Sequence, residues 1–303
     1  MKLEELLKLM MEVDASDIYI TAGLPPTFRI EGKTQPIAGE QVMSKEDTKE
    51  LAFSLMTEKQ KDIFIEEKEM NLALAPSIGR FRVNIFYQMS CVGIVIRQLK
   101  IPIQSFKQLG LPSGLEDVAM TNRGLVLVVG ATGSGKSTTL AAMLDHRNSN
   151  SHGHIITIED PVEFVHQHKK CIITHREVGI DTHSFGGGLK SALRQAPDVI
   201  MIGEVRDAET MEAAITFAET GHLCLATLHA NNANQALDRI INFFPDDRRE
   251  QLLMDLSLNL RAIMAQQLLP TPDGKGRRIA VEVLLNTPLV SDLIRKGETH
   301  KLK

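Results

Sequence analysis

The sequence predicts an α/β fold made of two domains, and three observations support that prediction. The chain has 303 residues, enough for two well-buried cores. The first hundred residues mix amphipathic helices with short strands, which indicates a compact α+β domain. From Gly124 onward, short apolar strands alternate with helical stretches, the pattern of a parallel sheet with helices on its faces.

The N-terminal domain is predicted to span residues 1–99. It opens with apolar residues at helical spacing between Leu3 and Val13, and two further helices are predicted near Ser44–Met56 and Glu58–Glu67. The predicted strands are SDIYIT, PTFRIEGKTQPI, GRFRVNIFYQ and CVGIVIRQLK, the last two forming a pair. A Pro- and Gly-rich stretch at residues 100–111 is predicted to be a linker, followed by the second domain at residues 112–303.

The composition excludes several classes of protein. Hydrophobic residues make up 43% and charged residues 24%, as in ordinary soluble domains. A net charge of −4 gives no basic field for nucleic acid. The odd number of cysteines, three, fits a reduced chain, and the longest apolar runs have only strand length. We therefore expect a cytoplasmic protein with no nucleic-acid partner.

A phosphate-binding loop is the strongest motif. The segment VLVVGATGSGKSTTL follows a strand, opens a helix, and matches GxxxxGK[ST]. Backbone N–H groups of such a loop surround phosphates, and the helix dipole adds positive charge. Lys136 is expected to reach the β- and γ-phosphates and Ser137 to ligate Mg²⁺. The motif predicts binding of ATP with Mg²⁺ through Gly130, Ala131, Thr132, Gly133, Ser134, Gly135, Lys136, Ser137 and Thr138.

Acidic residues follow two of the predicted strands. Ligands gather at the carboxyl ends of parallel strands, so Glu204 should lie at the nucleotide and hold the water shell of the metal. Asp198, at the opposite end of the same strand, should lie away from it. Glu159, Asp160 and Glu163 follow another strand, and Asp160 is predicted to have a turn or capping role.

Histidines mark two further candidate sites. His229, at the carboxyl end of the strand in TGHLCLATLHANNA, is predicted to sense the γ-phosphate, whereas His222 at the other end could be purely structural. The segment HQHKKCIITH could supply zinc ligands from its histidines and Cys171. No second tight ligand pair follows, so a polar hairpin is the preferred prediction there.

Four segments in this order and spacing resemble the secretion and type IV pilus ATPase superfamily: GATGSGKST, TIEDPVEF, APDVIMIGEVRD and TGHLCLATLHANN. The opening ASDIYITAGLPPTFRIEGK is similar to the PilT/PilU class of twitching-motility retraction ATPases, and MAQQLLPTPDGKGRR favours the PilU side of that class. The resemblance covers essentially the whole chain. It implies a PAS-like N-terminal domain and a RecA-like ATPase domain.

The resemblance also implies a function. Members of the class form hexameric rings that hydrolyse ATP to retract pili, so a homo-oligomer is expected here. The expected partners are an inner-membrane pilus platform protein and a second retraction ATPase. The protein is then expected to be peripheral at the inner membrane, on its cytoplasmic side.

Residue roles follow from the same resemblance. The family's Walker A, Asp, atypical Walker B and His boxes fall on Gly130–Thr138, Glu159–Glu163, Asp198–Glu204 and His222–His229. The family's catalytic glutamate matches Glu163, which would polarise the attacking water. Family arginines that reach the nucleotide from the N-terminal domain match Arg82 and Arg97, and such charge stabilises the γ-phosphate in the transition state. At Leu289–Glu298 only LIR matches the family's AIRNLIRE segment, so no role is implied there.

Three alternatives remain at this level. A pilus-assembly or type II secretion ATPase would share all four boxes, but such relatives usually carry a larger N-terminal region and a paired CxxC element that this sequence lacks. A DNA-translocating motor is disfavoured by the acidic balance. A nucleotide-binding scaffold with little turnover is the alternative of a different class. The intact boxes favour an enzyme over that scaffold.

Overall fold

The computed structural model describes residues 3–30, 32–74, 78–98, 103–272 and 277–302. The chain divides into two compact units, Met1–Ile101 and Pro102–Lys303. Each unit combines helices with a single sheet, so the predicted α/β fold class is confirmed. None of the helices in the described part of the chain is both long enough and apolar enough to cross a membrane.

The first unit is built on a six-stranded sheet of order β3-β2-β1-β6-β5-β4, in which every neighbouring pair is antiparallel. Alternate strand residues such as Val83, Ile85 and Ile96 are fully buried, as expected when one face of a sheet meets a core. The elements are α1 Leu3–Glu12, β1 Asp17–Ile20, β2 Thr27–Ile30, β3 Lys33–Pro36, α2 Lys45–Ser54, α3 Glu58–Glu67, β4 Glu69–Leu74, β5 Phe81–Gln88 and β6 Cys91–Gln98.

Helices α2 and α3 begin close to their predicted positions because each has a capping box. The side chains of Ser44 and Thr57 accept hydrogen bonds from the third residue of their helices, and that residue's side chain accepts a bond in return. An N-cap of this kind typically contributes about 1 kcal/mol. Strand β4, which follows α3 directly, was not predicted from the sequence.

The second unit is built on a seven-stranded sheet of order β13-β12-β7-β11-β10-β8-β9. All neighbouring pairs are parallel except β12 with β13. The elements are α4 Phe106–Leu109, α5 Gly114–Ala119, β7 Gly124–Val129, α6 Lys136–Asn150, β8 Gly153–Glu159, β9 Cys171–Glu177, α7 Phe185–Ala192, β10 Val199–Ile202, α8 Ala208–Glu219, β11 Leu223–Leu228, α9 Ala233–Ile241, α10 Arg249–Asn259, β12 Leu260–Pro270, β13 Arg277–Leu285 and α11 Pro288–Arg295.

The central strands of this sheet are covered on both faces. Every residue of β7, β10 and β11 is buried, which explains why these strands read as continuous apolar runs. Alternate residues of β7 enter two different cores: Leu127 packs in one that includes Phe217 of α8, and Val126 in another that includes Leu140 of α6. The sheet is therefore a rigid support for the loops at its carboxyl edge.

One sequence prediction needs correction. Strand β9 pairs in parallel with β8, so the predicted polar hairpin at HQHKKCIITH is wrong. A parallel neighbour requires the chain to cross back before pairing, and residues 160–170 make that connection. Within the predicted linker at residues 100–111, residues 100–102 lie outside the described residues, but α4 is folded, and Phe106 and Leu111 are buried in the core of the second unit.

Candidate active site

The phosphate-binding loop lies between β7 and α6, as the motif predicts. Gly135, the N-cap of α6, has φ +88°, which favours glycine. At Gly130 the constraint is close approach, because a Cβ there would lie 2.6 Å from the carbonyl oxygen of Gln266. The two glycines therefore let the backbone turn tightly at the start of a helix, where N–H groups are available to an anion.

Lys136 lies over this loop. Its Nζ donates to the carbonyl oxygens of Gly130 and Ala131, each at 3.0 Å. Burial lowers the pKa of Lys136, and the negative charges of Glu204 and Glu163 partly oppose that shift. Both carboxylates are thus near enough to influence the ammonium group.

Gln266 supports the loop from β12, a role that no sequence motif indicates. Its side chain is 1% exposed, and Nε2 donates to the carbonyl oxygen of Ser134 at 2.8 Å. A polar residue within the buried half of an apolar strand is the signal that could have revealed it. A buried amide needs hydrogen-bond partners, so its position fixes the loop to the sheet.

A cavity of about 200 Å³ opens beside the loop, at the carboxyl edge of the sheet. It brings the candidate acids and His229 together with part of the phosphate loop: it is lined by Thr132, Gly133, Lys136, Ser137, Glu159, Asp160, Pro161, Glu163, Phe185, Gly203, Glu204, Thr227 and His229. Glu163, Glu204 and His229, predicted from three separate segments, therefore share one cavity with Lys136. This is the arrangement that ligand binding at strand ends requires.

Glu204 is held by two cationic or polar partners. Arg206 Nε donates to its Oε2 at 2.8 Å, and His229 Nε2 lies 3.1 Å from its Oε1. The hydrogen bond to Glu204 raises the pKa of Arg206. Arg206 is not among the residues predicted from the sequence, although its position two residues after Glu204 at a strand end is a usable signal.

Asp160 has a partner in the same group. Its Oδ2 lies 3.7 Å from Arg206 Nη1, so Arg206 interacts with two of the acids that line the cavity. Asp160 also precedes Pro161 at a cis peptide bond, in the turn that leaves β8. The predicted turn position is accompanied by an ion pair that the sequence did not indicate.

The oxygen atoms in the cavity suit Mg²⁺. The Ser137 hydroxyl and the carboxylates of Glu204 and Glu159 line it, and oxygen ligands are the ones that Mg²⁺ prefers. Glu159 is 5% exposed, and its Oε1 has no hydrogen-bond partner among the described residues. A buried carboxylate oxygen of this kind can accept from a water on the metal. Mg²⁺ is otherwise held largely by substrate phosphates and water.

Asp198 and His222 lie at the opposite edge of the sheet, as predicted. The carboxylate of Asp198 accepts a hydrogen bond from His154 N at 2.7 Å, before β10 begins. The His222 ring lies within hydrogen-bond distance of Thr220 Oγ1 and the Phe217 carbonyl, which fits a structural role. Neither residue lines the cavity at the phosphate loop.

The candidate zinc ligands make other contacts. His175 Nδ1 lies 2.9 Å from Thr157 Oγ1, and the His166 ring stacks on His175 at 5.7 Å between centroids. The Cys171 thiol donates to the Ser151 carbonyl at 3.0 Å. Within the described ranges, no group of three or more histidine, cysteine or acidic residues could hold a metal ion. These side chains instead join β9 to its surroundings.

The two candidate arginines of the first unit lie directly opposite each other. Arg82 of β5 pairs in register with Arg97 of β6, which in turn pairs with Asp17 of β1. Asp17 is 3% exposed and accepts from Arg97 Nε at 2.8 Å, while Arg29 lies 4.0 Å away on its other side. Asp17 therefore fixes the guanidinium of Arg97 on the sheet.

Comparison with known proteins gives consistent matches over the whole chain. A family model described as type II/IV secretion system protein matches residues 2–299. The type IV pilus ATPase PilU of Pseudomonas aeruginosa is 60% identical over all of this chain and 79% of its own length. The type IV pilus retraction ATPase PilT of the same organism is 41% identical, over all of this chain and 88% of its own length.

Solved structures agree. A crystal structure of the pilus retraction motor PilT with bound ADP has a TM-score of 0.94 at 43% identity, covering 100% of this chain and 88% of that one. The ATPase DotB of Legionella pneumophila has a TM-score of 0.86 at 27% identity, covering 99% and 84%.

The parallel sheet, the phosphate loop and the acids at the strand ends define a P-loop nucleotide-binding protein of the ATPase class. The chain belongs to the type II/IV secretion system protein family. Its predicted resemblance to the PilT/PilU class of type IV pilus retraction ATPases is confirmed by these identities and by the match to the PilT structure.

Proposed function

We propose that this protein is an ATP-hydrolysing motor that powers retraction of a type IV pilus. The observation that carries the proposal is the single cavity in which Glu163, Glu204 and His229 meet Lys136 at the phosphate loop. That the motor acts on a type IV pilus is inferred from relatives that are named type IV pilus ATPases.

The loop and Lys136 bind the phosphates in this proposal. N–H groups at the start of α6 surround the β- and γ-phosphates, and the Lys136 ammonium neutralises part of their charge. Ser137 and Glu204 would hold Mg²⁺, Glu204 partly through water, and the metal, when bound, would neutralise charge that develops on the phosphate oxygens.

Glu163 is the proposed catalytic base. Its carboxylate lies in the cavity beside Lys136 and orients the attacking water while accepting its proton. His229 contacts Glu204 and lines the same cavity, so it can respond to the γ-phosphate and to the metal-binding acid together. By the family resemblance, Arg82 and Arg97 are the proposed source of further positive charge for the γ-phosphate.

The assembly belongs to the same proposal. We propose a hexameric ring that works with an inner-membrane pilus platform protein and a second retraction ATPase, at the cytoplasmic side of that membrane. The support is the class of the relatives. Light scattering in the presence of ATP and Mg²⁺ should detect an oligomer at micromolar protein, and a monomer under those conditions would contradict the ring.

Phosphate release is the direct test of the enzyme. The wild-type protein should hydrolyse ATP, and Lys136→Ala should abolish turnover because the phosphates lose their principal fixed cation. Wild-type turnover in Lys136→Ala would refute the site. Tight ATP binding without phosphate release by the wild-type protein would favour the nucleotide-binding scaffold.

The pilus itself needs a cellular measurement. Pilus retraction should be scored in strains with and without the second retraction ATPase, each carrying either the wild-type protein or Lys136→Ala. If retraction is lost when Lys136→Ala replaces the wild-type protein, ATP hydrolysis by this protein is linked to pilus retraction. Retraction that is indifferent to Lys136 in both strains would contradict the motor.

A further inference from the structure

The loop that carries Glu163 is tied to the edge strand β9 at two points, one on each side of that glutamate. We propose that His175 and Glu177 are positioning residues that hold Glu163 in place for ATP hydrolysis. This inference rests on the proposed role of Glu163 as the residue that orients the attacking water.

The first tie lies just before Glu163. The backbone N–H of Val162 donates to Glu177 Oε2 at 3.0 Å, and both residues are buried, with Val162 fully inaccessible. A carboxylate that accepts from a backbone N–H makes a stronger bond than a neutral acceptor does. The position of the residue immediately before Glu163 is therefore fixed to the sheet.

The second tie lies three residues after Glu163. The backbone N–H of His166 donates to His175 Nε2 at 3.1 Å. The other ring nitrogen of His175 lies 2.9 Å from Thr157 Oγ1, and its ring stacks against the His166 ring. These contacts set the orientation of the imidazole, so its acceptor atom faces the loop.

The spacing of the two ties explains how one strand can make both. His175 and Glu177 are two residues apart on β9, and alternate residues of a strand point to the same face. β9 is itself held by parallel pairing with β8 along its whole length, from Gly153 with Cys171 to Glu159 with Glu177. The two acceptors thus have positions determined by the sheet.

The far end of the loop is held separately by α6, where the Asn148 side chain accepts from Lys169 N and donates to the Gln167 carbonyl, so the two contacts with β9 are the ones that lie beside Glu163. Residues 160–170 lie outside the helices and strands, and buried backbone N–H groups need acceptors wherever regular structure does not supply them. A reacting group displaced by about 1 Å can lose roughly 100-fold in rate. Holding the backbone on both sides of Glu163 is therefore a direct way to preserve hydrolysis without touching the nucleotide.

Matched substitutions test this inference. Glu177→Leu and His175→Phe keep approximate size but remove the acceptor, whereas Glu177→Gln and His175→Gln keep an acceptor oxygen. We expect single-turnover hydrolysis to fall about 100-fold in the first pair and to stay within a few-fold of wild type in the second. ATP affinity should change little in the two Glu177 variants, because the phosphate loop is untouched. His175 Nδ1 also lies 3.8 Å from Glu159 Oε1 in the cavity, so ATP affinity is measured for the His175 variants as well and their rates are compared at saturating ATP. Ile172→Ser, at an exposed position of the same strand, serves as the control.

A double-mutant experiment separates positioning from a general structural effect. If His175 and Glu177 act through Glu163, then adding Glu177→Leu or His175→Phe to Glu163→Gln should cause no further loss of rate. Multiplying losses in both double variants would overturn the inference, as would a rate unchanged by Glu177→Leu and His175→Phe while Glu163→Gln is impaired. Should one of the two variants fail to fold, as judged by its melting temperature, the other decides. Normal hydrolysis in Glu163→Gln would instead contradict the proposed function itself.

Discussion

The imidazole of His229 contacts the carboxylate of Glu204 directly, with Nε2 3.1 Å from Oε1. The two residues follow neighbouring parallel strands, β11 and β10, and Arg206 donates to the other oxygen of Glu204. Both oxygens of this acid are thus oriented by side chains from the strand ends. We therefore expect a substitution at Glu204 to weaken Mg²⁺ binding before it disturbs the phosphate loop.

The substitution Glu204→Gln tests this expectation. A neutral amide attracts the water shell of Mg²⁺ less strongly than a carboxylate, so half-maximal hydrolysis should require several-fold more Mg²⁺. The measurement is a Mg²⁺ titration at saturating ATP. His229→Gln keeps the carboxylate and should lower the rate at an unchanged Mg²⁺ midpoint. Equal shifts of the midpoint in both variants would show that Glu204 has no special relation to the metal.

The substitution Glu163→Gln should lower ATP turnover by about 10²–10⁴-fold while ATP remains bound, because it removes the proton acceptor and keeps the shape. Single-turnover hydrolysis and equilibrium ATP binding give the two quantities. Asp160→Asn is the matched control in the same loop. Its ion pair with Arg206 joins two partly exposed side chains, so its removal should cost less than about 1 kcal/mol of stability. An inactive Asp160→Asn beside an active Glu163→Gln would reverse the assignment of the base.

In the first unit, Arg97→Ala should reduce ATP turnover by at least about 100-fold if its guanidinium stabilises charge on the γ-phosphate. Arg29→Ala provides a close comparison, since Arg29 approaches the same Asp17 but is not expected to reach the nucleotide. Steady-state hydrolysis of the assembled protein should distinguish the two variants. Equal rates of ATP hydrolysis in Arg97→Ala and Arg29→Ala would contradict a role for Arg97 at the γ-phosphate.

The buried His166 predicts a specific loss of stability in acid. Burial, with a contribution from the neighbouring His175, lowers the pKa of His166 to about 4, whereas an unfolded chain titrates near 6.5. Between these values the unfolded state binds more protons, so the stabilisation present above pH 6.5 is lost as the pH falls toward 4. The slope for one such group approaches about 1.4 kcal/mol per pH unit.

The test compares the wild type with His166→Phe, which keeps a ring against His175 and removes the titrating group. Urea unfolding at pH 7.5, 6 and 5 gives the free energy of unfolding of both proteins. The wild type should lose more stability than the variant over this range. Parallel pH profiles would mean that His166 does not titrate as the buried site requires.

The sequence was sufficient wherever the determinants are local. The phosphate loop needs only glycines between a strand and a helix, and the caps at Ser44 and Thr57 define helix starts within four residues. Central strands such as β7 are recognisable because burial on both faces demands unbroken apolar runs. A second rule, that the carboxyl ends of parallel strands meet at one edge of the sheet, places Glu204 and His229 together.

Relationships between distant segments were not accessible in this way. The direction of β9 depends on how residues 160–170 cross the sheet, and the sequence of β9 alone does not distinguish a parallel from an antiparallel neighbour. Gln266 and Glu177 act on loops more than ten residues away in sequence, and their roles arise only when the strands are placed side by side. Strand β12 follows α10 directly, and no Gly or Pro separates them. The sequence therefore contains no helix-breaking residue that would mark where the strand begins.

The contacts of Lys136 have a consequence for product release. An ammonium group has three donors, and two of those on Lys136 are used by the carbonyls of Gly130 and Ala131. Phosphate oxygens and peptide oxygens therefore compete for the same cation. The Gly130 and Ala131 carbonyls are therefore acceptors already within reach of the ammonium when a phosphate bound at the loop leaves, so the loss of that phosphate would expose at most part of the lysine's hydrogen-bonding capacity.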